Sequence, residues 1–167
     1  MVSIKQLNNV SHSNFIDMLK DIFEHSPWIP ERTWDCRPFS TVEDLHGKMI
    51  GRVNEASDEE KLRLIHAHPN LGTRLAMSNS SVQEQTNAGL SELTAEEYEH
   101  FSLLNKRYME KFGFPFIMAV KGRTKDEIYS FMEKRISHGE KGEFETALLE
   151  IEKIALFRLR ELIQNEE

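Results

Sequence analysis

Helix-start signals recur along this chain and constrain its fold more than any other feature. Ser57-Asp-Glu-Glu60, Thr94-Ala-Glu-Glu97 and Thr124-Lys-Asp-Glu127 each place an acid three residues after a Ser or Thr, and Thr41-Val-Glu-Asp44 is a looser version. In such a box the hydroxyl accepts from the backbone of the first turn while the acid reaches back to the capping residue. Apolar residues at three- and four-residue spacing follow each box. After Thr94 come Tyr98, Phe101, Asn105, Tyr108 and Phe112, with Gly113 as a stop. After Thr124 come Ile128, Phe131, Met132 and Ile136. An earlier helix is expected to carry Phe15, Ile16, Leu19, Ile22 and Phe23, and a last one Phe144, Leu148, Ile151, Ala155 and Leu162. Leu occurs 16 times and Val only 6, a balance that favours helices over strands. No run alternates with period two. The expectation is an all-α chain, a single compact domain of about seven or eight helices over residues 1–167, with no repeats and no linker.

Composition narrows the partners. The chain of 167 residues carries a net charge of −7, which argues against binding a phosphate backbone. A small anionic substrate needs only local positive charge and stays open. One cysteine, Cys36, excludes an intramolecular disulfide and a Cys-rich zinc site. The opening MVSIKQLNNV lacks an apolar run of signal-peptide type, and no stretch approaches membrane-spanning length. The expected setting is the cytoplasm, with neither membrane nor nucleic acid as partner.

Three irregular stretches and one helix face hold the candidate chemistry. In Ile65-His66-Ala67-His68-Pro69-Asn70-Leu71-Gly72, Pro69 disfavours the α conformation at His68, so the helix begun at Ser57 should end near Ala67. His68 then sits at a helix C-terminus, where the dipole favours imidazolium. Such a residue either caps the helix end or serves as a general acid. His66 and His68 are two apart and share no helix face, which makes them a poor metal pair. In Asn79 to Leu90, Ser81, Glu84 and Gln85 fall on one helical face. They suit a ligand rich in hydrogen-bonding groups, although Ser81 with Glu84 fits a capping box equally well on spacing and is locally the simpler account. The run Phe112-Gly113-Phe114-Pro115-Phe116-Ile117-Met118-Ala119-Val120 is apolar and interrupted. It packs a core, or turns backbone groups toward a pocket.

On a wheel of the last helix, Arg158 falls within the apolar arc of Ile151, Ala155 and Leu162, whereas Arg160 falls on the far side with Lys153. A guanidinium on a core face needs an anion. That anion is either a buried acid of another helix or a substrate held by a planar fork of donors.

Taken in order, FEHSPWI, HPNLG, SVQEQTNAGL, FGFPFIMAVKG and KIALFRL resemble the decarboxylases of 2-oxo-4-hydroxy-4-carboxy-5-ureidoimidazoline (OHCU), from about Ile22 to Leu162. The resemblance implies an all-α homodimer without cofactor or metal. It implies the last step of urate breakdown, giving (S)-allantoin and CO2, and in some bacteria a fusion to urate oxidase. By motif, His68 corresponds to the catalytic acid, with Glu84 beside it. Pro69, Ser81, Gln85, Phe116, Ile117, Met118, Ala119, Val120 and Arg158 correspond to the substrate shell. The link between HPNLG and SVQEQ is a few residues shorter than in many relatives, so Ser80 and Ser81 both stand near the start of the motif.

The implied reaction suits these residue types. OHCU bears its carboxylate on a carbon next to an unsaturated ring nitrogen, so the charge left by CO2 delocalises into the ring. Orientation of the carboxylate, donors toward the developing charge and a proton delivered to one face are then sufficient. The competing expectation is a helical binding or scaffolding module without catalysis, in which Glu84 and Arg158 form a structural ion pair.

Overall fold

The computed structural model describes residues 1–72 and 77–164. Among them, α-helix dominates and the only strands are β1 (Val2–Ser3) and β2 (Ile163–Gln164), a parallel pair with Val2 opposite Ile163. The expected all-α class holds. There are nine α-helices among the described residues rather than seven or eight, because two six-residue helices, α1 (Ile4–Asn9) and α3 (Trp28–Thr33), join the longer ones. The chain divides into two compact units, residues Met1–Leu64 with Glu152–Glu167, and Ile65–Ile151.

The first unit contains β1, α1, α2 (His12–Leu19), α3, a 3-10 turn at Trp34–Cys36, α4 (Val42–Glu55) and β2. Its core includes Leu7, Phe15, Leu19, Phe23, Ile29, Leu45, Met49 and Leu159, all buried. Helix α2 stops at Leu19, short of the expected Ile22 and Phe23. Those two residues remain buried, but in a turn closed by Ile22 N–H donating to Leu19 O and Ser26 N–H to Phe23 O. The turn passes through His25, whose φ of +47° is the left-handed region that few side chains adopt. Helix α4 begins at Thr41, whose hydroxyl accepts from Asp44 N–H, as the sequence predicts.

Helix α5 (Asp58–Ala67) crosses the boundary between the units. Its start is the expected box: Glu60 N–H donates to Ser57 Oγ and Ser57 N–H to Glu60. Glu60 also pairs with Arg32, and chiefly the hydrogen bond from Arg32, with that from Ser57, brings its pKa down to about 2.

The second unit contains α6 (Asn79–Asn87), α7 (Ala95–Phe112), α8 (Lys125–Ile136) and most of α9 (Glu140–Leu162). Thr94 and Thr124 form reciprocal capping boxes with Glu97 and Glu127. Gly113 ends α7 with a φ of 76°, its N–H donating to Met109 O. The side chains of Tyr108, Phe114, Phe116, Ile128, Met132 and Ala147 are buried in this unit. No helix among the described residues is long and apolar enough to cross a membrane.

Candidate active site

His68 follows directly on the last residue of α5, and its N–H donates to Ile65 O. Its side chain is buried, whereas His66 is exposed. The two imidazoles therefore occupy different surroundings, and among the described residues no group of three or more His, Cys, Asp or Glu is placed to hold a metal.

The chain beyond His68 is braced from two helices. Gly72 takes a φ of +69°, and a Cβ there would lie 3.0 Å from Leu93 Cδ1 and 3.3 Å from Phe101 Cγ, so only glycine fits without strain. Gln85 of α6 grips the loop with both ends of its carboxamide: Oε1 accepts from Gly72 N–H at 3.0 Å and Nε2 donates to Asn70 O at 3.3 Å. Asn105 of α7 donates to Leu71 O at 2.8 Å. Pro69 and Asn70 are half-buried between His68 and this brace. Hydrogen bonds on three consecutive residues fix the backbone that follows the buried imidazole.

Helix α6 corrects one local expectation. Its cap is Ser78, which accepts from Ser81 N–H, so Ser81 does not cap the helix with Glu84 closing a box. Ser81 stands instead inside the first turn, buried on the same face as Gln85, four residues on. Ser80 and Glu84 are half-buried. Residues 73–76, half of the short link between the two motifs, lie outside the described residues.

Phe116 to Val120 is neither helix nor strand, and all but Ala119 are buried. A charged network underlies it. Arg135 donates through Nη1 to Ile117 O at 2.6 Å, and its guanidinium lies 4.3 Å from the centre of the Phe116 ring. The same Arg135 pairs with Glu143, which is fully buried and also accepts from the Tyr108 hydroxyl and contacts His138 Nδ1 at 2.9 Å. Burial alone would push the Glu143 carboxyl up; hydrogen bonds from Arg135 and Tyr108 outweigh it and hold the group below the usual carboxylate range. Burial, with the Glu143 hydrogen bond, pushes the Tyr108 phenol well above its ordinary value.

A pH dependence follows from Glu143. A carboxylate depressed in the folded state stabilises it above the unfolded pKa, about 4.3, and that contribution disappears as pH falls through the lower folded value. Thermal melts from pH 6 to pH 3 should therefore show a steepening fall in Tm below about pH 4. Glu143→Gln should flatten that acid limb while lowering Tm at neutral pH; an unchanged limb would contradict the assignment.

Arg158 lies in the first unit, buried at 5% exposure as the wheel predicts, while Arg160 is exposed and pairs with Glu43. The Nη1 group of Arg158 donates to Glu24 at 3.1 Å and to Asp21 O at 2.9 Å. Glu24 is itself buried, and its carbonyl accepts from the Ser26 hydroxyl. The left-handed turn at His25 leaves the His25 side chain exposed between two buried neighbours. Arg158 thus has a buried acidic partner, as one reading required, but that acid stands in the turn between α2 and α3 rather than on another helix.

Sequence reading does not single out Glu24 in the first unit or, in the second, Arg135, Glu143 and Glu150, whose Oε2 accepts from Ala119 N–H at 2.8 Å, and it places Asn105 only in an apolar stripe. A carboxamide inside that stripe was the available signal. For the charged residues the signal is weak, since Arg135 and Glu143 look like ordinary helix-end charges, Glu150 like a mid-helix charge and Glu24 like a turn residue.

The comparisons cover the whole of this arrangement. The family model described as OHCU decarboxylase matches residues 8–160, through both units. The chain is 47% identical over 167 residues to the uric acid degradation bifunctional protein of Bacillus sp. (strain TB-90), covering all of this chain but 33% of that protein. It therefore spans about a third of the length of that relative. It is 44% identical over 165 residues to the 2-oxo-4-hydroxy-4-carboxy-5-ureidoimidazoline decarboxylase of Haloferax volcanii, covering 99% of this chain and 98% of that one. A crystal structure of (S)-allantoin synthase superposes with a TM-score of 0.80 at 31% identity, covering 97% of this chain and 54% of that chain. With a family model over nearly its full length and a relative of equal length at this identity, the chain belongs to the OHCU decarboxylase family.

Proposed function

We propose that this chain decarboxylates OHCU to (S)-allantoin and CO2, the last step of urate breakdown, with no cofactor or metal. The observation that carries the mechanism is the buried His68 on a loop braced at Asn70, Leu71 and Gly72. The bond from the ring carbon to the carboxylate breaks and CO2 leaves without the electron pair. The pair moves toward the adjacent carbon–nitrogen double bond, so no lysine Schiff base is required. The ring nitrogen that receives the displaced carbon–nitrogen pair takes one proton, the ureido-bearing carbon takes a second, and the ring hydroxyl loses one as it becomes a carbonyl, so the balance is one proton taken up. His68 delivers the proton to one face and so sets the S configuration.

In this reading Glu84 holds the substrate hydroxyl or ring N–H groups and orients His68. Ser81 and Gln85 meet the ureido group, with Gln85 using the capacity its loop contacts leave. Pro69 shapes the wall beside the acid, Phe116, Ile117, Met118, Ala119 and Val120 supply apolar wall and backbone groups, and Arg158 anchors an anionic or carbonyl oxygen. The decisive assay generates OHCU from urate with urate oxidase and the next hydrolase, then adds this protein. Loss of OHCU should accelerate in proportion to protein added; a rate equal to spontaneous decay rejects the activity.

The continuous family match supports reading residues 1–167 as one domain of this type; the homodimer follows from the family resemblance alone, and the cytoplasmic setting from the lone cysteine and the opening sequence. The bifunctional Bacillus relative supports a partnership with urate oxidase, fused or side by side. Sedimentation equilibrium should give a mass near twice 19.5 kDa, and a single species at 19.5 kDa would reject the dimer.

A further inference from the structure

Two of the acids on helix α9, Glu143 and Glu150, stand seven residues apart and hence on one face about 10 Å apart along the axis. Between them on that face lies Ala147, fully buried. Both acids support the irregular segment, at points two residues apart along it. Glu143 acts through Arg135, which donates to Ile117 O at 2.6 Å. Glu150 acts directly, its Oε2 accepting from Ala119 N–H at 2.8 Å. A third point follows at once, where Arg123 N–H donates to Val120 O at 3.0 Å. Phe114 packs edge-on against Phe144 of the same helix, with ring centres 6.2 Å apart.

A stretch without helix or strand has no ladder to hold its peptide planes. Here side chains do that work, and charged partners make the stronger hydrogen bonds. With the Ile117 carbonyl and the Ala119 N–H held on the scaffold, the peptide planes on either side of Met118 are fixed. Among the described residues, neither Phe116 nor Met118 has a backbone hydrogen-bond partner.

We propose that Glu150 is a positioning residue for substrate binding: together with the Arg135–Glu143 pair it clamps the Phe116–Val120 backbone in the conformation that receives OHCU. The inference rests on the proposed function, in which that segment lines the substrate site. Glu150 does not touch the reacting atoms. Its effect is on how well the segment is ordered before substrate arrives, and hence on affinity.

The test uses the full chain and steady-state kinetics on OHCU. Glu150 is half-buried, so Glu150→Ala removes the acceptor without opening the buried Arg135–Glu143 network. KM should rise about tenfold with kcat within about threefold, the signature of binding lost equally from ground and transition states. Glu150→Gln keeps an acceptor oxygen for Ala119 N–H and should return KM to within about twofold of wild type. A KM for Glu150→Ala within twofold of wild type overturns the clamp, as does a loss that Glu150→Gln fails to restore. A wild type that does not accelerate OHCU loss overturns the functional reading and the clamp with it, whereas an active wild type with an insensitive Glu150 overturns the clamp alone.

Discussion

His68→Asn is expected to fold as the wild type does and to turn over OHCU about 10²- to 10⁴-fold more slowly, the range a positioned general acid contributes. The carboxamide keeps a hydrogen-bonding group of similar reach near the ring while removing the titratable proton. The loop should stay in place, because its brace runs from Gln85 and Asn105 to Asn70, Leu71 and Gly72 rather than through the imidazole. His66→Asn, at an exposed position, should leave turnover within about twofold. Melting curves and turnover measured on all three proteins separate the cases. Equal losses at both histidines, or a His68→Asn variant with normal turnover, would contradict the assignment.

Arg158 should show the largest effect on stability. Both Arg158 and Glu24 are at least 95% buried, and they are joined at 3.1 Å. Arg158→Met leaves the Glu24 carboxylate buried without its guanidinium, which costs about 3–5 kcal/mol. For a chain of this size that is a fall in Tm of roughly 10 °C. Glu24→Gln in the same background should recover part of the loss, because the stranded charge is gone. Arg158→Lys retains the charge but not the planar fork, so it should lose less stability and more turnover if the guanidinium also holds substrate. Arg160→Lys, at an exposed pair with Glu43, should be nearly silent. Saturating (S)-allantoin should raise the wild-type Tm by mass action and raise that of Arg158→Lys much less. Stability loss with full turnover in the folded fraction would leave Arg158 with the ion pair alone.

The helices were legible where local chemistry decides them. Thr41, Ser57, Thr94 and Thr124 each open a helix, and Gly113 closes one, because capping involves residues within one turn. The end of α2 was not legible: Ile22 and Phe23 keep helical spacing and are buried, yet they sit in a turn that leads to His25 and Pro27. Periodicity reports burial there, not backbone conformation. Ser78, Ser80 and Ser81 all satisfy the local rule for a cap, and packing of Ser81 and Gln85 on one face selects Ser78. Arg158 was legible as a buried cation from its place on the wheel, but Glu24 stands 134 residues away and only tertiary structure pairs them. The clamp on Ile117 and Ala119 was hidden for the same reason, since Arg135, Glu143 and Glu150 read individually as solvent-facing helix charges.

The optical activity of the product separates catalysis by this chain from spontaneous decay. OHCU generated in place decays by itself to racemic allantoin, so circular dichroism of the accumulating product distinguishes a catalyst from a bystander. A signal of the S enantiomer should grow with protein concentration and collapse toward zero when His68→Asn replaces the wild type. A racemic product in the presence of folded wild-type protein would contradict it.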